Sequence, residues 1–340
     1  MALSKPIIIG HRGASGYRPE HTRASYNLAF ALGAEAVEPD IVASRDGVLV
    51  LRHENEISGT TDVVDRPEFA RLRTTKVVDG VELTGWFTED FTWGELSTLR
   101  ARERFPGLRS LSASFDGQFP ILRLRDLFGL IDDAADMLGR GIGMVAEIKH
   151  ASYFESIGLP LDELFAAEVD DAGWDVGDGR LTMESFELTV LEKLRDRGVA
   201  GKRIFLVESR GAPADDVLAD GRAVKSYADY VTETGMYGLS GGGVDGVSVD
   251  KSMIVGTTVD TGGPAASELV DHAHAAGLEV YCWTLRPENR FLDPAFRVGR
   301  AKAVFGDWQA EFRAIMSTGV DGVFVDHPDL AVAVRDASEN

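Results

Sequence analysis

The fold is decided by one stretch of the sequence, GAEAVEPDIVASRDGVLVLRHE, which covers residues 33–54. It contains two strand-like runs, Ala36–Ile41 and Val48–Leu51, with only a short turn around residues 44–47 to connect them. A parallel crossover needs a dozen or more residues, so these two runs must form an antiparallel hairpin. One strand of this hairpin therefore does not belong to the repeating part of the fold.

Short β-rich runs recur along the whole chain and mostly alternate with helical patterns. The other runs are Pro6–Gly10, Gly143–Ile148, Leu181–Phe186, Ile204–Val207, Val244–Val249, Glu279–Thr284 and Val320–Val325. Helical patterns include Thr22–Leu32, Leu124–Leu138, Leu161–Ala172, Leu188–Arg197, Ala266–Ala276 and Trp308–Ser317. Such alternation predicts a mostly parallel sheet covered by helices. Without one hairpin strand the runs number eight, so we predict an α/β fold, an irregular (β/α)8 TIM barrel with its active groups at the C-terminal strand ends.

Residues 54–118 lack the alternation and interrupt the repeat. They contain several large aromatic residues: Trp86, Phe87, Phe91, Trp93, Phe105 and Phe115. We therefore predict a barrel formed by residues 1–53 and 119–340, with residues 54–118 as a folded insertion near the active-site face. This insertion lies over the barrel mouth or, alternatively, packs beside it as a peripheral loop.

Composition excludes several classes of protein. The chain has 340 residues, 44% of them hydrophobic, and its 35 basic and 55 acidic residues give a net charge of −20. An acidic surface repels phosphate backbones, which disfavours nucleic acid as a partner. The chain contains no apolar run of about 18 residues, so integral membrane association is not expected. The start of the chain lacks the form of a signal peptide, which predicts a cytoplasmic protein, or a secreted or periplasmic one if a leader was removed.

Three carboxylates are predicted to converge at neighbouring strand ends. Glu38 and Asp40 lie two residues apart on one strand, so their side chains share a face, and Glu147 ends another strand. Grouped carboxylates near a barrel mouth are costly unless a cation neutralises them. An all-oxygen set suits a hard cation such as Ca²⁺ or Mg²⁺. The alternatives are a solvated edge strand for the first two residues and, for Glu147, a salt bridge with Lys149.

Two histidines are candidates for acid–base chemistry. His11 and Arg12 follow the first strand, where histidine can move a proton near neutral pH and arginine can bind phosphate oxygens in a bidentate manner. A structural role is the alternative for His11. If the hairpin turns between Asp46 and Gly47, position 40 pairs with position 53, which would place His53 beside Asp40.

Taken together, the motifs resemble the glycerophosphodiester phosphodiesterase family. The matching stretches follow the order of the family and span nearly the whole chain: HRGASGYRPEHT at 11–22, residues 33–54 as quoted above, AEIK at 146–149, SF at 185–186, YCWT at 281–284 and GVDGVFVDHP at 319–328. The long segment after His53 is similar to the longer bacterial type, which is typified by a periplasmic, calcium-dependent enzyme.

The resemblance implies a TIM barrel that hydrolyses small glycerophosphodiesters to sn-glycerol 3-phosphate and an alcohol such as choline, ethanolamine or glycerol. It also implies one divalent cation, with Ca²⁺ favoured over Mg²⁺. The oligomeric state is not predicted. The implied roles are catalysis for His11 and His53, metal binding for Glu38, Asp40 and Glu147, and substrate binding for Arg12, Lys149, Phe186 and Trp283. For the two aromatic residues, core packing is the alternative.

Three positions depart from the usual family pattern. Glu54 follows His53 where the family usually has Asp, His21 replaces the common Asn of PENT, and Arg286 replaces the usual Asn after Trp-Thr-x. None of these positions is a predicted metal or histidine site, so we expect catalysis to survive, with Arg286 able to alter headgroup preference. Two other functions compete with this one: a phospholipase-type phosphodiesterase acting on lysolipids or inositol lipids, and a non-catalytic binding protein on the same scaffold.

Overall fold

The computed structural model describes residues 5–216, 223–257 and 264–337. Eight parallel strands form a closed barrel, which confirms the predicted TIM barrel. The strands are β1 Ile7–His11, β2 Ala36–Glu38 with its continuation Asp40–Ala43, β3 Gly143–Ile148, β4 Leu181–Ser185, β5 Lys202–Val207, β6 Gly246–Asp250, β7 Glu279–Leu285 and β8 Gly322–Val325. The barrel closes because β2 pairs with β1 on one side and with β3 on the other.

Helices follow most strands and bury one face against the barrel. The longer ones are Arg23–Ala31, Leu124–Leu138, Leu161–Asp171, Leu188–Asp196, Glu233–Gly241, Leu269–Ala275, Trp308–Met316 and Pro328–Ala337, and Ala151–Ser156 and Tyr227–Tyr230 are shorter. Local sequence explains their ends: Thr22 caps the first helix by accepting a hydrogen bond from the backbone N–H of Ser25 at 3.1 Å. Gly139 ends Leu124–Leu138 in the left-handed conformation, with φ of +63°. No helix in the described part of the chain is both long and apolar enough to cross a lipid bilayer.

The hairpin that decides the strand count is present, but its register differs from the prediction. The continuation of β2 pairs antiparallel with Leu49–Leu51, so that Ile41 lies opposite Leu51. The backbone N–H of Arg52 then donates to the carbonyl of Asp40 at 3.0 Å, and the predicted pairing of position 40 with His53 is wrong. The physical reason is the turn, which has three residues centred on Asp46 and closes through Gly47 at φ of +77°.

The insertion is built from short elements. It contains a hairpin of Thr74–Val78 and Val81–Gly85, 3₁₀ turns at Val63–Asp65, Pro67–Leu72 and Thr88–Asp90, and short helices at Trp93–Leu96 and Ser110–Ala113. Trp86 and Phe91 are buried in the same apolar cluster as Val50 of the barrel hairpin. The segment therefore shares the core of the barrel. The proposed division of the chain at residues 54 and 118 stays a prediction.

Candidate active site

The C-terminal ends of the barrel strands enclose a cavity of about 690 Å³. Eight of the nine predicted site residues line this cavity, and the exception is Asp40, which is completely buried. Asp79 and Val81, at the tip of the insertion hairpin, also contribute to the wall. A volume of this size is typical of a site for a small molecule.

A strained turn after β1 presents the first two candidates. Arg12 has a φ of +61°, a left-handed conformation that costs free energy for any residue with a side chain. Gly13 follows with a φ of +86°, and a Cβ there would lie 2.6 Å from a backbone atom of Ser25. Only glycine fits this position. The turn directs the backbone N–H of Arg12 to Glu38, whose Oε2 accepts it at 2.8 Å.

The structure gathers three glutamates at the ends of adjacent strands. Oxygens of Glu38, Glu147 and Glu184 all lie within 4.8 Å of one another, and the three side chains are buried. Burial raises the pKa of Glu38 and Glu184 well above the usual range, and neighbouring carboxylates raise it further. Burial also raises the pKa of Glu147 to about 8, against the opposing charge of Lys149. The cluster is therefore unstable as three bare anions.

The negative charge and the oxygen donors of these three glutamates suit a hard cation. Glu38 Oε1 and Glu184 Oε2 are buried and accept no hydrogen bond from any described residue. Buried carboxylate oxygens without donors are costly unless a cation binds them. Because the donor set is entirely oxygen, it suits Ca²⁺ or Mg²⁺ and not a soft metal.

Asp40 occupies a different environment from the one expected for it. Its Oδ2 lies 3.0 Å from Arg12 Nε and 2.9 Å from His21 Nε2. Its Oδ1 lies 3.6 Å from Lys149 Nζ and accepts no hydrogen bond within the described ranges. Burial alone would raise its pKa, but the charge of Arg12 and the other neighbours hold the pKa of this carboxyl well below its usual range. Asp40 thus adjoins the three glutamates as a paired anion, and its role as a metal ligand stays a prediction.

His11 is held by a buried carboxylate. Its Nδ1 lies 2.6 Å from Oδ1 of Asp326, which immediately follows β8. Burial would raise the pKa of Asp326, but Arg286 and Arg109 outweigh it and hold the pKa well below the usual range. An ionised carboxylate can only accept, so Nδ1–H of His11 donates and Nε2 is left for other chemistry. Burial, with the charge of Arg12, lowers the pKa of His11 to about 4.

His53 has the same arrangement on the other side of the site. Its Nδ1 lies 2.5 Å from Oε1 of Glu54, the residue that replaces the usual aspartate. Burial, followed by the charges of Arg12 and Lys149, lowers the pKa of His53 to about 3. Both predicted histidines therefore line one cavity with Nδ1 held by a carboxylate. The wrong hairpin register did not prevent this, because His53 lies beyond the last paired residue of its strand.

Positive charge surrounds the histidines. Arg12 is paired with Asp40 and also donates from Nη1 to Glu20 Oε2 at 3.1 Å. Lys149 Nζ donates to Glu147 Oε1 at 2.8 Å. Burial would lower the pKa of Arg12 and Lys149, but the carboxylates around them outweigh it and raise both pKa values, so both cations stay charged. Two fixed cations in one cavity favour an anionic ligand.

Aromatic rings form another part of the wall. The ring centroids of Phe186 and Trp283 lie 6.0 Å apart in an edge-to-face arrangement, and Tyr227 lies 6.2 Å from Phe186. Lys149 Nζ lies 5.7 Å from the centroid of Phe186. Phe186 and Trp283 are only partly buried and line the cavity, so both rings offer surface to a bound substrate.

Sequence reasoning missed two residues of the site, Glu184 and Asp326. Glu184 lies opposite Glu147 in the pairing of β3 with β4, an adjacency that only the register reveals. The sequence contained one indication of Glu184, because it is a charged residue near the C-terminal end of an otherwise uncharged strand. Asp326 carried a similar signal, because it directly follows the last strand of the barrel.

Acid–base groups beside a cation-binding cluster and two fixed positive charges place the chain among TIM-barrel hydrolases of phosphate esters. Residues 11–330 match the model of the Glycerophosphoryl diester phosphodiesterase family, and the chain belongs to that family of enzymes. The resemblance found in the sequence is thereby confirmed.

Curated relatives agree with this assignment, and a solved structure agrees with the fold. Glycerophosphodiester phosphodiesterase GDPD6 of Arabidopsis thaliana is 29% identical over 340 residues, which cover 96% of this chain and 85% of the plant protein. The glycerophosphodiester phosphodiesterase of Treponema pallidum is 26% identical, with coverage of 97% and 91%. The fold resembles the structure of an Oleispira antarctica phosphodiesterase in complex with the product sn-glycerol-3-phosphate. That match has a TM-score of 0.63 at 19% identity and covers 98% of this chain and 97% of the other.

Proposed function

We propose that this enzyme hydrolyses small glycerophosphodiesters, such as glycerophosphocholine or glycerophosphoethanolamine, to sn-glycerol 3-phosphate and an alcohol. The observation that carries the proposal is the cavity that holds both His11 and His53, each with Nδ1 held by a carboxylate, beside the three glutamates. A pair of acid–base groups next to a cation site is what phosphodiester hydrolysis requires.

The cationic side chains bind and orient the phosphodiester. Arg12, which follows β1, presents a planar guanidinium to the cavity, and Lys149, which follows β3, presents a compact charge. Glu38, Glu147 and Glu184 would hold the divalent cation, with Asp40 as a further candidate. When bound, such a cation would supply positive charge that neutralises the phosphate and stabilises the more negative transition state.

The two histidines divide the proton transfers between them. One histidine is neutral and accepts the proton of the attacking hydroxyl at its Nε2. The other enters the step protonated on both ring nitrogens, and it gives its Nε2 proton to the leaving alkoxide as the bond from phosphorus to oxygen breaks. The nucleophile is water, or the glycerol 2-hydroxyl with water opening the resulting cyclic phosphate. Phosphorus NMR of the reaction mixture distinguishes these routes, because only the second forms a cyclic phosphate.

The aromatic part of the wall is proposed to contact the substrate beyond the phosphate. Phe186 and Trp283 offer apolar surface to a glycerol or headgroup carbon chain. Support for the glycerol phosphate half comes from the Oleispira antarctica fold relative, which is described in complex with sn-glycerol-3-phosphate.

The cation is proposed to be Ca²⁺, with Mg²⁺ as the alternative. Ca²⁺ accepts six to eight oxygens in a flexible arrangement, whereas Mg²⁺ requires near-octahedral geometry and keeps more water. Three glutamates with Asp40 alongside supply several oxygens from protein, which favours the larger ion.

The test is a turnover assay on the purified chain. The enzyme is stripped with a chelator, reloaded with Ca²⁺ or Mg²⁺, and supplied with glycerophosphocholine, glycerophosphoethanolamine or micellar lysophosphatidylcholine. We expect release of sn-glycerol 3-phosphate from the first two substrates. Failure to cleave either of them with any cation, or a clear preference for the micellar lipid, would overturn the proposal.

A further inference from the structure

Two arginines of the insertion reach the carboxylates that hold the histidines. Arg109 Nη2 donates to Asp326 Oδ2 at 2.6 Å, and its Nε donates to Glu288 Oε1 at 2.7 Å. Arg109 is 217 residues away from Asp326 in sequence and its side chain is 5% exposed. The contact therefore joins the insertion to the carboxyl end of β8 inside the protein.

Arg104 makes an equivalent contact on the other side. Its Nη1 and Nη2 donate to the two carboxylate oxygens of Glu54 at 2.8 and 2.7 Å. Its Nε and Nη2 also donate to the two oxygens of Glu20 at 2.8 and 2.6 Å. The guanidinium thus bridges the carboxylate beside His53 and the glutamate that pairs with Arg12.

Each contact extends to a histidine. In the first series Arg109 contacts Asp326, and Asp326 accepts from His11; in the second, Arg104 contacts Glu54, and Glu54 accepts from His53. Asp326 is held at Oδ2 by Arg109, together with Arg286 of the barrel, and at Oδ1 by the imidazole of His11. Glu54 is held at both oxygens by Arg104, and its Oε1 also accepts from His53. A carboxylate held at both oxygens in this way cannot rotate freely, so it fixes the plane and the tautomer of the ring.

We infer that the insertion is a positioning part of the catalytic centre: Arg109 acts through Asp326 to orient His11, and Arg104 acts through Glu54 to orient His53. This inference rests on the proposed function. It differs from a lid, because a lid acts by contacting substrate. Asp79 and Val81 of the insertion line the cavity, but neither arginine is among the described residues that do so.

The consequence is a loss in kcat with little change in KM. Misplacement of a catalytic group by about 1 Å can cost a factor of about 100 in rate. We expect Arg109→Lys and Arg104→Lys to lower kcat by about 10- to 100-fold, because lysine keeps the charge but loses the planar, forked set of donors that fixes the carboxylate orientation. KM for glycerophosphocholine should stay within about twofold, since neither side chain lines the cavity. The lysine variants avoid leaving Asp326 or Glu54 without a nearby cation, which protects folding.

A leaving-group comparison assigns each arginine to its own histidine. A nitrophenyl ester of glycerol phosphate needs no proton on its leaving group, whereas glycerophosphocholine does. Loss of the general acid therefore harms glycerophosphocholine hydrolysis more than nitrophenyl ester hydrolysis, and loss of the general base harms both equally. We expect Arg109→Lys to follow the pattern of His11→Ala, and Arg104→Lys to follow the pattern of His53→Ala, so the two arginines differ.

The matched control is Arg66→Lys. Arg66 also belongs to the insertion and is ion-paired, with Asp62 at 2.8 Å, but it contacts none of the site residues. It should keep wild-type kcat. The inference would be overturned if all three variants lost the same activity, or if Arg109→Lys and Arg104→Lys kept wild-type kcat. It would also be overturned if these two variants showed the same leaving-group pattern.

A second readout does not depend on turnover. In enzyme with ¹⁵N-labelled histidine, the Nδ1–H protons donated to Asp326 and Glu54 should give two downfield resonances, assigned by their absence in His11→Ala and His53→Ala. Arg109→Lys should move or broaden only the first resonance, and Arg104→Lys only the second. If wild-type enzyme cleaves no glycerophosphodiester, the proposed function fails, and these resonances still decide the positioning. Resonances unchanged by either variant would contradict it.

Discussion

His21 Nε2 lies 2.9 Å from Asp40 Oδ2, and both side chains are completely excluded from solvent. The other ring nitrogen of His21 lies 2.8 Å from the hydroxyl of Tyr26. Burial lowers the pKa of His21, so the ring is neutral and donates to the ionised aspartate. His21, which stands where the family commonly has Asn, thus orients the carboxylate that adjoins the three glutamates.

The first prediction concerns this pair. We expect His21→Ala to weaken cation binding by about 10- to 100-fold, the usual effect of removing a hydrogen-bond partner of a metal-site carboxylate. His21→Asn restores the residue that is common in the family and retains a donor, so it should lose less. Isothermal titration of the chelated enzyme with Ca²⁺ measures both. Wild-type affinity in His21→Ala would show that Asp40 does not contribute to the site.

The second prediction concerns Glu184, which sequence reasoning missed. Glu184→Gln removes one of the three clustered carboxylates and should lower both Ca²⁺ affinity and the activity at limiting Ca²⁺. Glu208→Gln is the matched control, because Glu208 lines the same cavity but is exposed and lies outside the cluster. Affinities that fall equally in the two variants would indicate a general loss of negative charge instead of a lost ligand.

The third prediction concerns acid–base catalysis. His11→Ala and His53→Ala should each lower kcat by roughly 10²–10⁴, the usual contribution of one positioned acid or base. The double variant should lose less than the product of the two, since both groups serve one proton-transfer sequence. Steady-state kinetics on metal-loaded, folded enzyme provides the check. A His53→Ala enzyme retaining more than about a tenth of the wild-type rate would assign this proton to another group.

Arg12→Lys provides a contrast to the histidine variants. It keeps the positive charge but loses the planar pair of donors. We expect a higher KM and a lower kcat, with both limbs of the pH profile preserved. Loss of one limb would mean that Arg12 also controls the protonation of a histidine.

The fourth prediction is the pH dependence of metal-free stability. The pKa of Glu147 rises to about 8 from its ordinary value of 4.5, so the folded chain retains a proton that the unfolded chain has lost. Stability from this group is fully present below pH 4.5 and is lost as the pH rises towards 8. The lowered pKa values of His11 and His53 act in the opposite sense, but only up to their ordinary value of 6.5.

We therefore expect the Tm of chelated enzyme to fall between about pH 6.5 and 8, and Ca²⁺ to oppose the fall by binding the ionised carboxylates. Thermal unfolding across this range, with and without Ca²⁺, measures the effect. Glu147→Gln cannot titrate, so its metal-free curve should be flatter. A Tm that rises with pH in the wild type would contradict the assignment.

Local pattern was sufficient to predict the barrel and most of the site. Turn length and strand count gave the closed sheet, and alternation along single strands gave Glu38, Glu147 and Lys149. What failed was the register of the hairpin, which is off by one residue, because the same sequence can close a two-residue or a three-residue turn and the backbone conformation at Gly47 decides between them. Register is set by turn geometry and by the alternation of buried and exposed positions, and every residue of these two strands is buried, so alternation could not fix it.

Contacts between residues far apart in the chain could not be predicted from the sequence for a different reason. The partner of Glu184 is 37 residues away, on the neighbouring strand, and Arg109 is in a segment without hydrophobic periodicity. An arginine in such a segment has the sequence pattern of a solvated surface residue. Only the folded chain brings its guanidinium to the end of β8.

The contacts of Arg104 with Glu20 and of Arg109 with Asp326 limit how this protein can be recombined with its relatives. A donor insertion grafted between residues 54 and 118 would bring its own cations, while Asp326 and Glu20 belong to the recipient barrel. Chimaeras that keep both halves of each pair should remain active, whereas chimaeras that divide a pair should fold yet turn over slowly. The insertion and the barrel residues that pair with it must therefore be exchanged together.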